Sequence, residues 1–225
     1  MSELNKHYNY LAVFDLDRTI IPFDSSITLV KEGYKKGLLS TFKLITGFFY
    51  LFAHKMRLLP TKAVIKRISL WLKGIPENEI QQLTNQIFNE TLFASVHKEV
   101  LNEIEKHRNK NAALIILSSS ISAFCELFRE KLNFDHALST VMEIKNGHLT
   151  GLTSGEFCHG EEKLIRLKEF CSINNFNLER VHFYSDSVDD LPTLSAIGFP
   201  VCVNPDSKLR KIADKNNWPI FEWNN

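Results

Sequence analysis

YLAVFDLDRT, residues 10 to 19, decides the fold. Tyr10 to Phe14 form an unbroken apolar run, which then gives way to two carboxylates, Asp15 and Asp17. A run this short and this rich in strand formers reads as a strand buried on both faces, the kind found in parallel sheets. Asp15 and Asp17 stand two residues apart, so in extended chain both point to one side. Open α/β sheets bind ligands beyond the carboxyl ends of their strands, and a strand that ends in carboxylates marks that edge.

The same pattern recurs down the chain. Ala112 to Leu117, AALIIL, reads as a second buried strand, and Ser118, Ser119 and Ser120 follow it as cap residues for a helix reaching about Lys131. Val181 to Tyr184 makes a third, ending in Asp186 with Asp189 and Asp190 just beyond, and Phe199 to Val203 makes a fourth. Helices are expected from about Glu161 to Ile173, with Lys163 near the start, from Asp190 to Ala196, and from Ser207 to Lys215 before Pro219 to Glu222. Ala137 to Leu152 carries Asn146-Gly147 between alternating residues, a hairpin signal. Between Ser25 and about Arg108 helical periodicity dominates, broken at Gly37, Pro60, Gly74 and Pro76. The expected fold is therefore α/β, a doubly wound, mostly parallel, Rossmann-like sheet with helices on both faces and an all-helical cap inserted after the first strand. Residues 1–23 and 110–225 would form the core, and residues 24–109 the cap.

Composition narrows the function. With 225 residues the chain is long enough for a core plus an inserted subdomain. Lys and Arg (27) balance Asp and Glu (26), and a net charge of +1 speaks against a nucleic-acid partner. No glycine-rich turn follows the first strand, which speaks against a dinucleotide site. Cys125, Cys158, Cys171 and Cys202 lie far apart, with no apolar leader ahead of the first strand, so reduced thiols and a cytoplasmic location are expected. His54, His97, His107, His159 and His182 share no metal-ligand spacing and read as structural or exposed. The apolar run Leu38 to Phe52 holds Lys43 and falls short of the ~20 residues a membrane helix needs. It reads as a buried or interfacial helix in a monomer or homodimer. Lys35, Lys36, Lys43 and Lys55 around it keep lipid contact, and with it lipid phosphates, as an alternative.

The polar residues at the strand ends form one chemical set. A carboxylate such as Asp15 can attack phosphorus, while a second acid such as Asp17 protonates the leaving alkoxide and then deprotonates the water that opens the acyl phosphate. Two anions repel, and a hard cation such as Mg2+, held with the help of Asp186, removes much of that repulsion. Lys163, as a point charge, and the Ser118 hydroxyl would hold the phosphate oxygens. A signalling receiver domain gathers similar groups, but the tandem DxD and the long helical insertion argue against it.

These residues resemble the haloacid dehalogenase superfamily, and the likeness spans nearly the whole chain. Asp15-Leu16-Asp17-Arg18-Thr19 is similar to its first motif, DxDxT, Leu117-Ser118 to the second, Lys163 to the third, and Asp186 through Asp189-Asp190 to the acidic fourth. The resemblance implies a Mg2+-dependent phosphatase of small phosphate esters. Asp15 would be its nucleophile, Asp17 its acid/base, Asp15, Asp17 (through its carbonyl) and Asp186 the metal holders, and Asp190 their support. A helical insertion at this point resembles the phosphoserine-phosphatase-like branch, subfamily IB. In that branch an arginine like Arg67, in Lys66-Arg67-Ile68-Ser69-Leu70, holds the substrate carboxylate, and Asp24 stands where a glutamate is usual. Ser119 and Ser120 replace the glycines common beside the phosphate.

Overall fold

The computed structural model describes residues 4, 6–42, 45–46, 49–50, 67 and 69–223. Lys43, His54, Lys55, Pro60, Lys66, Ile68 and residues 44, 47–48 and 51–52 of the long apolar run lie outside the described residues.

Strand β1 (Tyr10–Phe14) lies inside the sheet, and its alternating side chains feed two cores. Ala12 and Phe14 join one apolar cluster, and Leu11 and Val13 join the other. Strand β2 (Ala112–Ile121) divides the same way, with Leu114 and Ile116 on the first side and Ala113, Ile115 and Leu117 on the second. Burial on both faces is why these strands read as unbroken apolar runs.

Strands β3 (His136–Thr140), β6 (Val181–Ser185), β7 (Phe199–Val203) and β8 (Ile220–Phe221) complete a six-stranded sheet, all parallel, in the order β3-β2-β1-β6-β7-β8. The chain moves outward from β1 to β2 and β3, then returns to lay β6 on the other side of β1. The carboxyl ends of β1 and β6 therefore flank the crevice at which the winding reverses.

Helices cover both faces. On the first lie α1 (Ser25–Lys35), α2 (Glu77–Ile87), α3 (Lys98–Asn109) and α4 (Ser122–Lys131), through residues such as Leu29, Leu83, Ile104 and Phe128. On the second lie α5 (Glu161–Ile173), the short α6 (Leu191–Leu194) and α7 (Ser207–Asn216), through Leu167, Phe170, Leu194 and Leu209. Helix α3, the last of the insertion, lies on the sheet itself. His107 links the Tyr10 hydroxyl (2.9 Å) to the Tyr184 hydroxyl (2.8 Å).

Two local expectations change. Ser118 to Ser120 are not helix caps: β2 continues through them, and α4 starts at Ser122 behind Ile121, which has no side-chain oxygen to cap with. Tertiary bonds hold the serines extended, as Ser120 Oγ meets Ser25 Oγ at 2.6 Å and the Thr140 hydroxyl donates to the Ser119 carbonyl at 2.9 Å. The helix expected from Asp190 shrinks to a 3-10 turn (Val188–Asp190) followed by α6.

Strands β4 (Met142–Lys145) and β5 (His148–Thr153) form the antiparallel hairpin, turning at Asn146 and Gly147 with φ of 52° and 72°, as a type I′ turn requires. The hairpin docks on the helical insertion. Gly74 N–H donates to the Leu149 carbonyl (2.8 Å), Leu149 N–H to Ile75 (2.9 Å), and Glu77 N–H to Gly147 (2.9 Å). Gly151 adopts φ +79°, and a Cβ there would lie 2.9 Å from Leu70 Cα. Gly151→Ala is therefore expected to destabilise the protein by about 1–3 kcal/mol. Thermal melting tests this, and an unchanged midpoint would show that the hairpin is not held tightly against residues 70–73.

Among the described residues no helix is long and apolar enough to cross a membrane. Phe42, Ile45 and Phe49, spaced three and four apart in the helical residues after α1, are largely exposed.

Candidate active site

A cleft of about 430 Å3 opens beyond the carboxyl ends of β1, β2 and β6. It brings together Asp15, Asp17, Ser118, Ser119, Lys163, Asp186 and Asp190, with Asp24 also in its wall. Residues as distant in sequence as Asp15 and Lys163, 148 positions apart, meet here because each ends a strand or begins a helix at the same edge.

Asp15 follows β1 directly, and its N–H extends the ladder to the Tyr184 carbonyl (2.9 Å). One carboxylate oxygen accepts from Leu16 N–H (2.7 Å), and the other from Lys163 Nζ (2.9 Å). The Lys163 ammonium, 2 % exposed, also donates to Asp190 Oδ2 at 2.8 Å. Ser185 Oγ donates to the same Asp190 oxygen at 2.6 Å, so Asp190 faces the lysine and positions it. Burial alone would lower the Lys163 pKa, but Asp15 and Asp190 together raise it, and the lysine stays charged. Burial lifts the Asp15 carboxyl above its ordinary range, with Lys163 opposing that shift and Asp190 adding to it.

Asp17 is fixed by α1. Ser25 N–H donates to one of its oxygens (3.0 Å) and Ser25 Oγ to the other (3.1 Å). This carboxyl is pushed up to about 7, by burial first, with the Ser25 backbone bond opposing the rise and the Asp15 charge adding to it. Asp186 is pushed up to about 8, by burial first and then by the charges of Asp15 and Asp190. The loop carrying it is braced by Asp206, whose N–H donates to the Asp186 carbonyl (2.8 Å) and whose carboxylate accepts from Val188 N–H (2.7 Å).

Asp15, Asp17, Asp186 and Asp190 thus share the site with one buried ammonium, and neighbouring carboxylates add to burial in raising the proton affinity of Asp15, Asp17 and Asp186. Such an oxygen-rich, anion-heavy set fits a hard divalent cation, which the Asp15 and Asp186 carboxylates and the Asp17 carbonyl could hold. Only two side chains are needed for that arrangement, consistent with the lack, among the described residues, of any group of three His, Cys, Asp or Glu side chains gathered for a metal.

The last two expected site residues, Asp24 and Arg67, both meet partners within the protein. Asp24 is tied to Arg18, whose Nη2 and Nε donate to one of its oxygens at 2.7 and 3.2 Å. Arg67 does not line the cleft. Its guanidinium lies 4.8 Å over the Tyr50 ring and donates to the Tyr50 hydroxyl at 2.9 Å. Sequence reasoning passed over Ser25, whose only signal was its place opening a helix. It also set aside His159, which lines the cleft with Nδ1 3.4 Å from Ser119 Oγ and Nε2 3.7 Å from Asp189.

Fold and site together define a doubly wound α/β enzyme with its carboxylates at the switch point of a parallel sheet. The chain belongs to the haloacid dehalogenase-like hydrolase family, whose profile matches residues 12–195. Its relatives include proteins named as phosphatases. It is 27% identical over 222 residues to phosphoserine phosphatase SerB1 of Mycobacterium tuberculosis (strain ATCC 25618 / H37Rv), covering 94% of this chain and 70% of that one. It is 26% identical to a histidinol-phosphatase of Neisseria meningitidis serogroup C (strain 8013), covering 95% and 98%. A solved phospho-aspartyl intermediate analogue of phosphoserine phosphatase shares the fold, with a TM-score of 0.71 at 17% identity over 96% of this chain and 94% of that one.

Proposed function

We propose that the chain is a Mg2+-dependent phosphomonoester hydrolase that acts through an aspartyl-phosphate at Asp15 on a small phosphorylated metabolite. The observation that carries this reading is the Lys163 ammonium shared between Asp15 and Asp190, with Asp17 locked beside them by Ser25. A carboxylate oxygen of Asp15 attacks phosphorus, and the bond to the ester oxygen breaks as Asp17, in its acid form, protonates that oxygen. Asp17, now ionised, takes a proton from the water that attacks the acyl phosphate. The bond between phosphorus and Asp15 then breaks and releases phosphate. Lys163 and the Ser118 hydroxyl hold the phosphate oxygens, and stabilising that charge supplies most of the catalysis. When bound, Mg2+ neutralises charge between carboxylates and phosphate. Residues 24–109 serve as the cap, with α3 anchoring its end to the sheet.

The relatives named for phosphoserine and histidinol phosphate support small phosphorylated metabolites as substrates. Lipid phosphates at a membrane surface form a second reading, favoured by the exposed Phe42, Ile45 and Phe49. One experiment addresses both: phosphate release from phosphoserine, histidinol phosphate, sugar phosphates and lysophosphatidate, with Mg2+ and with EDTA. Release that requires the metal is the expected result, and the ester that turns over chooses between the readings. Folded, metal-loaded protein that becomes phosphorylated without turnover would instead indicate a receiver-like role.

A further inference from the structure

We infer that an apolar wall, with Trp71 and Phe157 as specificity-determining side chains, selects phosphate esters whose leaving group is aromatic or aliphatic and carries no carboxylate. The inference rests on the reading of Asp15 as the phosphate acceptor.

The cleft has two chemically distinct parts. At the strand ends it is polar and holds the phosphate. The rest of its lining includes Leu29, Leu39, Trp71, Leu72, Met142 and Phe157, drawn from α1 and its following turn, a 3-10 turn (Leu70–Leu72), the hairpin and the loop before α5. The 3-10 turn and the hairpin are held together, since residues 74–77 just after the turn are hydrogen-bonded to the hairpin that carries Met142. A leaving group attached to phosphate at Asp15 must extend over this surface, where apolar area is favoured and an unpaired charge is not.

The charges in the cleft point the same way. Among the described residues its cationic or ionisable basic side chains are Arg18, His159 and Lys163, and each already faces a carboxylate. Arg18 holds Asp24 at 2.7 Å, Lys163 bridges Asp15 and Asp190, and His159 lies 3.7 Å from Asp189. A substrate carboxylate would have to displace one of these partners while passing Asp24 and Asp189. Arg67, the residue expected to receive a carboxylate, stacks on Tyr50 away from the lining.

The test is a kcat/KM series with Mg2+ over phenyl phosphate, butyl phosphate, phosphoserine and acetyl phosphate, the last presenting only a two-carbon acyl group to the wall. Phenyl and butyl phosphate are expected to exceed phosphoserine by roughly tenfold or more. Trp71→Ala and, separately, Phe157→Ala should each lower the ratio of phenyl phosphate to acetyl phosphate several-fold, roughly the effect of losing one or more apolar contacts, and should do so through KM. Two variants are used because either one alone could fail to fold, and a loss of folding would not change the ratio. Phosphoserine as the better ester, or a ratio unmoved in a folded variant, overturns the inference while leaving the phosphatase reading intact. Absence of metal-dependent turnover even of acetyl phosphate overturns the Asp15 reading, and this inference with it.

Discussion

Asp15→Asn lowers metal-dependent phosphate release by on the order of 10^4-fold or more, the scale seen when a catalytic nucleophile is removed. The amide keeps the carboxylate's shape and one acceptor oxygen, but it cannot form the acyl phosphate. Its nitrogen must face either Leu16 N–H or the Lys163 ammonium, so one of the two bonds to Asp15 is lost. Against that loss, a negative charge is removed from beside Asp190 and Asp186, where burial and repulsion already disfavour it. The two effects oppose each other, so the melting midpoint should move by only a few degrees, on the order of 1 kcal/mol. Phosphate release and thermal melting on the same preparation check both halves. A folded Asp15→Asn protein that still turns over ester would remove Asp15 from the chemistry.

Asp15 was readable because the physics that buries a parallel strand on both faces also writes it as a plain apolar run, so the first polar residue after the run stands at the binding edge. Phe199 to Val203 and Glu161 to Ile173 were readable with their bounds for similar reasons, one as a buried strand and the other as a helix opened by two glutamates after Gly160. Ser118 to Ser120 misled because a serine run after a strand is the usual signature of a helix cap. What overrides the cap here is a bond to Ser25, 95 residues away, which local spacing cannot encode. The cleft wall was hidden for a different reason. Trp71 and Leu72 sit in a helix-rich stretch where an apolar residue facing a cavity looks like one facing the core. Likewise, His159 carries no ligand spacing, and only the folded loop before α5 brings it beside Ser119 and Asp189.

Lys163→Met should have the largest effect on stability. The lysine is 2 % exposed, and its ammonium is hydrogen-bonded to two carboxylates that are themselves buried. Methionine fills similar volume but leaves Asp15 and Asp190 facing each other without the cation between them. Breaking a buried pair by removing one partner costs about 3–5 kcal/mol. At roughly 2–4 °C per kcal/mol for a chain of this size, the midpoint at neutral pH in EDTA should fall by about 6–20 °C. The pH dependence gives the cause a distinctive sign. Without the lysine, which opposes the rise that burial causes, the Asp15 carboxyl takes a higher pKa in the folded state than in the unfolded one. The folded state then binds more protons, and stability falls as pH rises through the interval between those values. The deficit relative to the unaltered protein should therefore shrink toward acid pH, where the Asp15 carboxyl is protonated and leaves no charge of its own to compensate. A lost packing contact would produce a deficit independent of pH. Melting curves from acid to neutral pH separate the two, and a variant that melts with the unaltered protein at neutral pH would show that Lys163 does not hold the two carboxylates together.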